Sequence, residues 1–300
     1  MERASVTATE ELGPLLFSIA YRMVGSVAVA EELVQEAYLR MHAQEADVES
    51  PKAFLTTVLT RLAIDHLRSA SVRREHYVGP WMPEPLVGDA APDPADDAER
   101  ADTLSIAFLV VLETLSPVER AVFLLHDVFD YGFDEIARIV ERSVENCRQI
   151  AVRARRRVEE GAPRFEASPE KREELAERFF AALEGGDMDG LVDLLARDAA
   201  FVGDGGGKAT AIPEPVYGAA RVGRMLWAFA NQGRRWNVTV QRTIVNGQPG
   251  AIVRDPLGRV VTVLALDVGP GAVQAVRSIV NPEKLGHLGP VTDLTRPRRA

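Results

Sequence analysis

Apolar residues recur at helical spacing through the first 75 positions. Leu12, Leu15, Leu16, Ile19, Ala20 and Met23 form one stripe, which Gly25-Ser26 interrupts. In "VAVAEELVQEAYLRMH" the buried set is Ala30, Leu33, Val34, Ala37, Tyr38 and Met41, and the outer face carries Glu31, Glu32, Gln35, Glu36 and Arg40. Ser50-Pro51 supplies an N-cap and a first-turn proline for a third helix with Phe54, Leu55, Val58, Leu59, Leu62 and Ala63 inward. That helix ends in "DHLRSASVRRE". Helical patterning resumes at about 102–114, and Ser116-Pro117-x-Glu119 carries the capping-box signature for the next helix. "FDEIARIV" and "SVENCRQIAVRARRRV" then predict two short helices parted by Glu141-Arg142.

Two stretches break the pattern. Residues 77–100 hold five prolines and six acids and read as a linker, although Trp81 in it is a side chain that normally docks. Residues 163–170 form a second linker. Beyond it, helices at about 171–185, 188–196 and 218–231 accompany strands joined by Asn246-Gly247, Asp255-Pro256-Leu257-Gly258 and Gly269-Pro270-Gly271. Helices first and antiparallel strands after predict an α+β domain over 171–290, with 291–300 as a disordered tail.

Composition narrows the class. Hydrophobic residues at 46 % and charged residues at 26 % are ordinary for globular protein. No run has the roughly 18 apolar residues of a membrane helix, and the polar, acidic "MERASVTATEEL" is no secretory signal. One cysteine rules out an internal disulfide, and five scattered histidines give no metal-ligand spacing. We therefore expect a cytoplasmic protein with no metal, no cofactor and no membrane partner. A net charge of −9 argues against indiscriminate nucleic-acid coating, so DNA binding would need local patches.

Such a patch lies in "SVENCRQIAVRARRRV". Val144, Cys147, Ala151, Ala154 and Val158 share one face, which makes Cys147 a packing residue rather than a redox sensor. The opposite face offers Glu145, Asn146, Arg148, Gln149, Arg153 and Arg156. Asn, Gln and Arg pair with adenine and guanine edges, and further arginines suit phosphates. With small Ala137 on the preceding helix, this reads as a helix-turn-helix. The usual glycine of the turn is absent; Glu141 stands near it, tolerable where the backbone is not strictly left-handed. The plainer alternative is a basic surface helix of no function, or one that binds an acidic protein.

"AEELVQEAYLRMH" (30–42) resembles the region-two helix of sigma-seventy-type factors of the extracytoplasmic-function class, usually close to AEDLVQETFLR. "LTRLAIDHLRSA" is similar to the promoter-melting helix that follows it, and residues 115–158 resemble region four throughout. "WMPEP" (81–85), "DGGGK" (204–208) and "NPEKL" (281–285) resemble the signature trio of a sigma-J-like subgroup, in which the factor is fused to a SnoaL-like (NTF2-like) domain. Met82 replaces a commoner Leu and Glu283 an Asp.

The resemblance implies two all-α sigma modules, region 2 at 1–76 and region 4 at 101–162, plus a C-terminal α+β cone. It implies that Glu32, Gln35 and Glu36 dock on the clamp helices of the largest subunit of core RNA polymerase, whose flap region is a further partner. Asp65, Arg68, Arg73 and Arg74 would hold the −10 element, where a base of the melted non-template strand leaves the stack. Asn146, Arg148, Gln149, Arg153 and Arg156 would read the −35 duplex, while Ile150 stands where many such factors place a basic residue. Trp81, Pro83, Glu84, Pro85, Asp204, Gly205, Gly206, Gly207, Lys208, Asn281, Pro282, Glu283, Lys284 and Leu285 would form regulatory, interdomain contacts.

For the third domain, "DGGGK" lacks the length of a phosphate-binding loop, and a tight contact with the sigma modules is the preferred reading. Trp227, Trp236, Arg277 and Asn281 could line a cavity, though both tryptophans fit a core as well, and a small-molecule ligand of unread identity stays open. Catalysis of the cyclase type needs a poised acid–base pair, and the domain's one histidine, His287, lies beyond "NPEKL". The expectation is no enzyme. The alternative from another class is a stand-alone ligand-responsive repressor or activator using the same helix-turn-helix, for which residues 30–68 would be superfluous.

Overall fold

The computed structural model describes residues 2–44, 48–74, 77–88, 102–161 and 168–294, with side chains left out at 2–10 and 70–74. The remainder of both linkers and residues 295–300 lie outside the described residues. The chain forms two compact units. One comprises the helices up to residue 74 with residues 102–103 and 108–161. The other comprises 77–88, 104–107 and 168–294.

The first unit starts with α1 (Glu2–Val24), α2 (Val27–His42) and α3 (Pro51–Arg74). The Ser26 hydroxyl accepts the Val29 amide at 3.3 Å and starts α2 where Gly25 ends α1 with positive φ. Leu16, Ile19, Ala20 and Met23 pack with Ala30, Leu33, Ala37, Leu55, Leu59 and Ala63, the inward stripes of the three helices. After α4 (Ile106–Leu112), α5 (Pro117–Phe123) opens on the predicted capping box: Ser116 Oγ accepts the Glu119 amide, and Glu119 accepts the Ser116 amide at 3.0 Å. A π-helical turn, Leu124–Val128, leads to α6 (Phe133–Val140) and α7 (Val144–Gly161).

The second unit has α8 (Pro169–Gly185), α9 (Met188–Leu194), β1 (Leu195–Asp204), β2 (Val216–Tyr217) and α10 (Ala219–Arg235). A meander follows: β3 (Thr239–Val245), β4 (Gln248–Arg254), β5 (Val260–Gly269) and β6 (Ala272–Ile279). Asn246 and Gly247 both take positive φ at the β3–β4 turn, as the Asn-Gly signal requires. The sheet order is β2-β1-β6-β5-β4-β3, and every pairing is antiparallel except β1 with β6. That parallel pair departs from the all-antiparallel expectation. The chain leaves β1 through α10, builds the sheet from its far edge, and returns beside β1 running the same way.

Leu175, Phe179, Phe180, Leu191, Phe201, Val222, Leu226, Leu266 and Val276 fill the concave side between sheet and helices. The other face is buried too. Cross-strand register aligns Asp204, Ile279, Val263 and Ile252 in one row, each no more than 2 % exposed. Residues 290–292 add to this unit: Val260 donates to Pro290 O, the Thr292 amide donates to Val260 O, and Asp255 accepts the Thr292 hydroxyl at 3.0 Å. Val291 and Thr292 are therefore not part of a disordered tail, because the β4–β5 turn supplies them with backbone and carboxylate partners.

Candidate promoter-binding surfaces and the linker lock

Helix α7 sorts its residues by face. Cys147, Ile150, Ala151, Ala154 and Val158 are buried, while Asn146, Arg148, Gln149, Arg153 and Arg156 are exposed. Ile150 is buried among the core-facing residues of α7 and does not lie on its exposed face. Burial also pushes the Cys147 thiol pKa up, away from thiolate chemistry. The arginine cluster divides in two. Arg155 is paired with Asp127 and Arg157 with Glu119 at 2.9 Å, so these two tie α7 to the preceding helices. Arg153 and Arg148 stay outward, Arg148 with a loose 3.8 Å contact to Glu145 and its guanidinium 5.9 Å from the Phe133 ring centre. Burial alone would raise the Glu119 pKa, but donors from Ser116 and the charges of Arg157 and Arg153 bring it below the usual carboxylate range.

Glu141 between α6 and α7 adopts φ 55°, ψ 53°. The backbone there is left-handed, contrary to the expectation that let a glutamate replace the glycine. The strain is about 1 kcal/mol, and its neighbours offset it. Arg61 of α3 donates to Ile139 O at 3.0 Å and Arg138 O at 2.9 Å, and meets Glu141 Oε1 at 3.1 Å. One guanidinium thus caps the last carbonyls of α6 and holds the turn.

On α2, Glu32 and Gln35 are exposed, and Glu36 pairs with Arg40 at 2.7 Å. On α3, Asp65 and Arg68 are exposed and pair at 3.2 Å. The side chains of Arg73 and Arg74 lie outside the described residues.

The three short motifs converge within the second unit. Asp204, fully buried, accepts from Tyr77 Oη, from the Met82 amide at 2.8 Å and from Lys284 Nζ at 2.6 Å. Lys284 also donates to Met82 O and sits 4.6 Å and 4.7 Å from the ring centres of Tyr77 and Trp81. Asn281 Nδ2 donates to Tyr77 Oη at 3.0 Å, and Lys208 pairs with Glu283 at 3.1 Å. Burial, then the Asp204 carboxylate, push the Tyr77 pKa up, so its hydroxyl remains a donor. At the other end, the Leu86 amide donates to Asn246 Oδ1 at 3.0 Å and the Asn246 amide donates to Leu86 O at 2.8 Å. His287 contacts Pro85 O at 2.8 Å.

The segment 82–86 thus reaches from the end of β1 to the β3–β4 turn, with Met82, Pro83, Pro85 and Leu86 buried. Its sequence suits that path. Two prolines carry no N–H to strand in an apolar setting, and the donors at either end are taken by Asp204 and Asn246. Gly206 and Gly207 hold positive φ, and a Cβ on Gly206 would fall 2.3 Å from Asn281 Nδ2 and 2.9 Å from Tyr77 Oη. The glycines of "DGGGK" therefore serve close approach of the linker, and the partners of Asp204 come from 77–82 and 284 rather than from the helical modules as expected.

The chain matches the family descriptions sigma-70 region 2 over residues 9–73, sigma-70, region 4 over 105–158 and SnoaL-like domain over 176–277. It is 38 % identical over 288 residues to the ECF RNA polymerase sigma factor SigJ of Mycobacterium tuberculosis, covering 93 % of this chain and 92 % of that one. The chain belongs to the ECF RNA polymerase sigma factors. It is also 33 % identical over 283 residues to the probable ECF sigma factor SigI of the same organism, covering 91 % and 92 %. The crystal structure of M. tuberculosis SigJ matches with a TM-score of 0.75 at 36 % identity, over 94 % of this chain and 98 % of that one. As a sigma factor, the protein directs promoter-specific initiation of transcription.

Region 2 and region 4 of this sigma factor share one compact unit, joined by a polar seam the sequence did not announce. Arg61 reaches from α3 to the helix-turn-helix turn. Thr56 Oγ1 and Tyr131 Oη are 3.0 Å apart in buried surroundings. Arg22 of α1 donates to Ser18 and to Thr103 at 3.3 Å, with its guanidinium 5.6 Å from the Phe129 ring centre. Arg120 of α5, 3 % exposed, donates through Nη1 to Met23 O and to Glu113, both at 2.7 Å, while its Nε is buried with no acceptor. Burial lowers its pKa to about 10, and it stays charged at neutral pH.

The four residues that could line a cavity in the SnoaL-like domain have other partners or lie apart. Arg277 is held by Asp267 at 2.8 Å, Asn281 serves Tyr77, and Trp227 is 39 % exposed with its indole N–H on Gly186 O. Trp236 is half-buried at the end of α10. Among the described residues, no helix is long and apolar enough to cross a membrane, and no cluster of three or more His, Cys, Asp and Glu has metal-binding geometry.

Proposed function

We infer that region 2 engages core RNA polymerase through Glu32, Gln35 and Glu36 on α2, a mostly acidic exposed face suited to electrostatic steering. Asp65, Arg68, Arg73 and Arg74 hold the melted −10 strand. Asn146, Arg148, Gln149, Arg153 and Arg156 contact the −35 duplex. The carrying observation is the division of the α7 arginines: Arg155 and Arg157 tie α7 to Asp127 and Glu119, whereas Arg148, Arg153 and Arg156 face outward, Arg148 and Arg156 meeting only the exposed carboxylates of Glu145 and Glu160 on the same helix.

By their numbering, the −35 and −10 elements lie about 25 base pairs apart, roughly 85 Å at 3.4 Å per base pair. Arg61 of region 2 touches Ile139 of region 4 at 3.0 Å. Both elements cannot be held with that seam closed, so polymerase binding opens it. Beside buried apolar residues the seam carries several polar contacts and one under-satisfied buried arginine, which favours two discrete arrangements over one rigid body.

The SnoaL-like domain acts in cis by fixing the linker between regions 2 and 4, as a regulatory part and not as an enzyme. Its buried carboxylates support this: Asp204 is committed to Lys284 and Tyr77, and Asp267 to Arg277. The protein works in the cytoplasm, where polymerase is.

The test is run-off transcription with core RNA polymerase on the DNA upstream of the protein's own gene. Arg148→Ala/Arg153→Ala should abolish start-site-specific transcript, whereas Arg155→Ala/Arg157→Ala should keep it at temperatures where the protein is folded. Equal loss in both pairs would remove the assignment of the reading face.

A further inference from the structure

None of the chain's 44 acidic residues falls between positions 215 and 254, where six arginines do. In an acidic protein this 40-residue gap is a local inversion of charge. The structure places its centre on α10. Arg221, Arg224 and Arg235 are all exposed, and among the described residues none has a carboxylate within ion-pair distance. Ala228 and Gln232, also exposed, lie between them. The steps from 221 to 224, 228, 232 and 235 are three, four, four and three residues, one face of an α-helix. At 1.5 Å per residue the row is about 21 Å long.

The other three arginines of the gap have partners. Arg242 forms a two-pronged contact with Glu184, Arg234 donates to the carbonyls of Leu183 and Glu184, and Arg254 donates to Gly258 O. The three on the outer row differ in having no ion pair or side-chain hydrogen bond among the described residues. Asp189 and Asp193 of α9 border the shallow groove beside Arg224 and temper its field without closing on it.

We propose that this row is a second DNA contact of the molecule, binding the phosphodiester backbone of the duplex without reading its sequence. Phosphate chemistry fits the row better than a protein surface does. A protein–protein patch gains its energy from large apolar anchors at its centre. Here the centre is Ala228 and Gln232; the exposed Trp227 and Phe229 stand on either side of the row rather than in it, so the row itself offers three guanidinium groups to phosphate oxygens. Contacts of this kind are weak alone. The domain is tied to two modules that already hold DNA, and tethering converts a weak contact into an intramolecular one at roughly millimolar effective concentration.

The test uses the full-length chain and fluorescent duplex DNA of arbitrary sequence, with anisotropy read across about 25–200 mM salt. Each phosphate neutralised contributes about −0.9 to the slope of log K against log salt. Arg221→Gln/Arg224→Gln/Arg235→Gln should therefore reduce the slope by about two to three, each single variant by about one, and the triple Lys variant should retain it. Because the three side chains are exposed and unpaired, thermal unfolding should be unchanged. A wild-type slope in the triple Gln variant, or no salt-dependent binding by the wild type, would overturn the proposal. Reduced transcription with an unaltered DNA slope would overturn it as well, assigning the row to an acidic protein surface instead.

Discussion

Lys284→Met probes the linker lock at the ammonium that pairs with Asp204. The methionine keeps most of the stem volume but leaves Asp204, fully buried, with only the Tyr77 hydroxyl and the Met82 amide as donors. Breaking a buried ion pair by removing one partner costs about 3–5 kcal/mol, because the remaining charge stays in a poor solvent. The two surviving donors reduce this, and the lost contacts of the ammonium with the Tyr77 and Trp81 rings add about 0.5–1 kcal/mol each. A net loss of about 3–4 kcal/mol follows, which for a domain of this size lowers the unfolding midpoint by roughly 6–16 °C. The assay is calorimetry of the full chain with Lys284→Met, Asp204→Asn and both changes together. The double variant should be less destabilised than the sum by about 2 kcal/mol or more, since neither change then strands a charge. Proteolytic cleavage near Tyr77 and Trp81 should quicken in the single variants. A Lys284→Met cost below about 1 kcal/mol, or additivity within about 0.5 kcal/mol, would refute the lock.

Arg61→Ala removes two helix-capping hydrogen bonds and an exposed ion pair across the seam, and chemical denaturation should show a loss of about 1–3 kcal/mol. Glu141→Gly relieves the left-handed strain but gives up the Arg61 contact, so its net effect on stability should stay within about 1 kcal/mol. Arg155→Ala/Arg157→Ala should lower the stability of region 4 while leaving DNA sequence preference intact, in contrast to Arg148→Ala/Arg153→Ala, read by competition binding. For Asp255, burial alone would raise the pKa, but donors from Arg259, Thr292 and Leu257 bring it well below the ordinary value. A carboxylate depressed on folding contributes stability above its unfolded pKa of about 3.9, which is lost as pH falls through the folded value. The destabilisation by Asp255→Asn should therefore be full at neutral pH and shrink only below about pH 4, as followed by urea titrations across pH.

Much of this was legible in the sequence where the signal is local. Helix periods, the Ser116 capping box, the Asn-Gly turn and the buried place of Cys147 all depend on residues within one turn of each other. Ile150, at a position where the family resemblance suggests a basic residue, is buried because the inward face of α7 is wide enough to take both Ile150 and Ala151. A glutamate in place of the turn glycine is tolerable only where the backbone is not strictly left-handed; Glu141 is left-handed, and the contacts from Arg61, 80 positions earlier, hold it there. Arg22, Arg61 and Arg120 gave no sequence signal as seam residues, since an arginine pattern says nothing of which distant carbonyl it meets. Trp81 did announce that the linker docks. The docking surface was not readable, because it required knowing that β1 and β6 bring Asp204 beside Lys284. Trp227 reads as core by composition, yet stands at the surface where α10 turns its other face inward.

If the closed pairing of region 2 with region 4 gives way when polymerase binds, helices α2 and α7 must move apart. Cys147→Ser leaves a chain without cysteines, into which Ala28→Cys and Val152→Cys, both exposed, place two spin labels on α2 and α7. The distance between them is measured by pulsed electron–electron resonance, free and with core RNA polymerase. One short separation is expected in the free protein, within about 40 Å for helices packed in one unit, and a shift beyond about 60 Å in the complex. A distribution unchanged by polymerase, in a preparation that still initiates transcription, would contradict it.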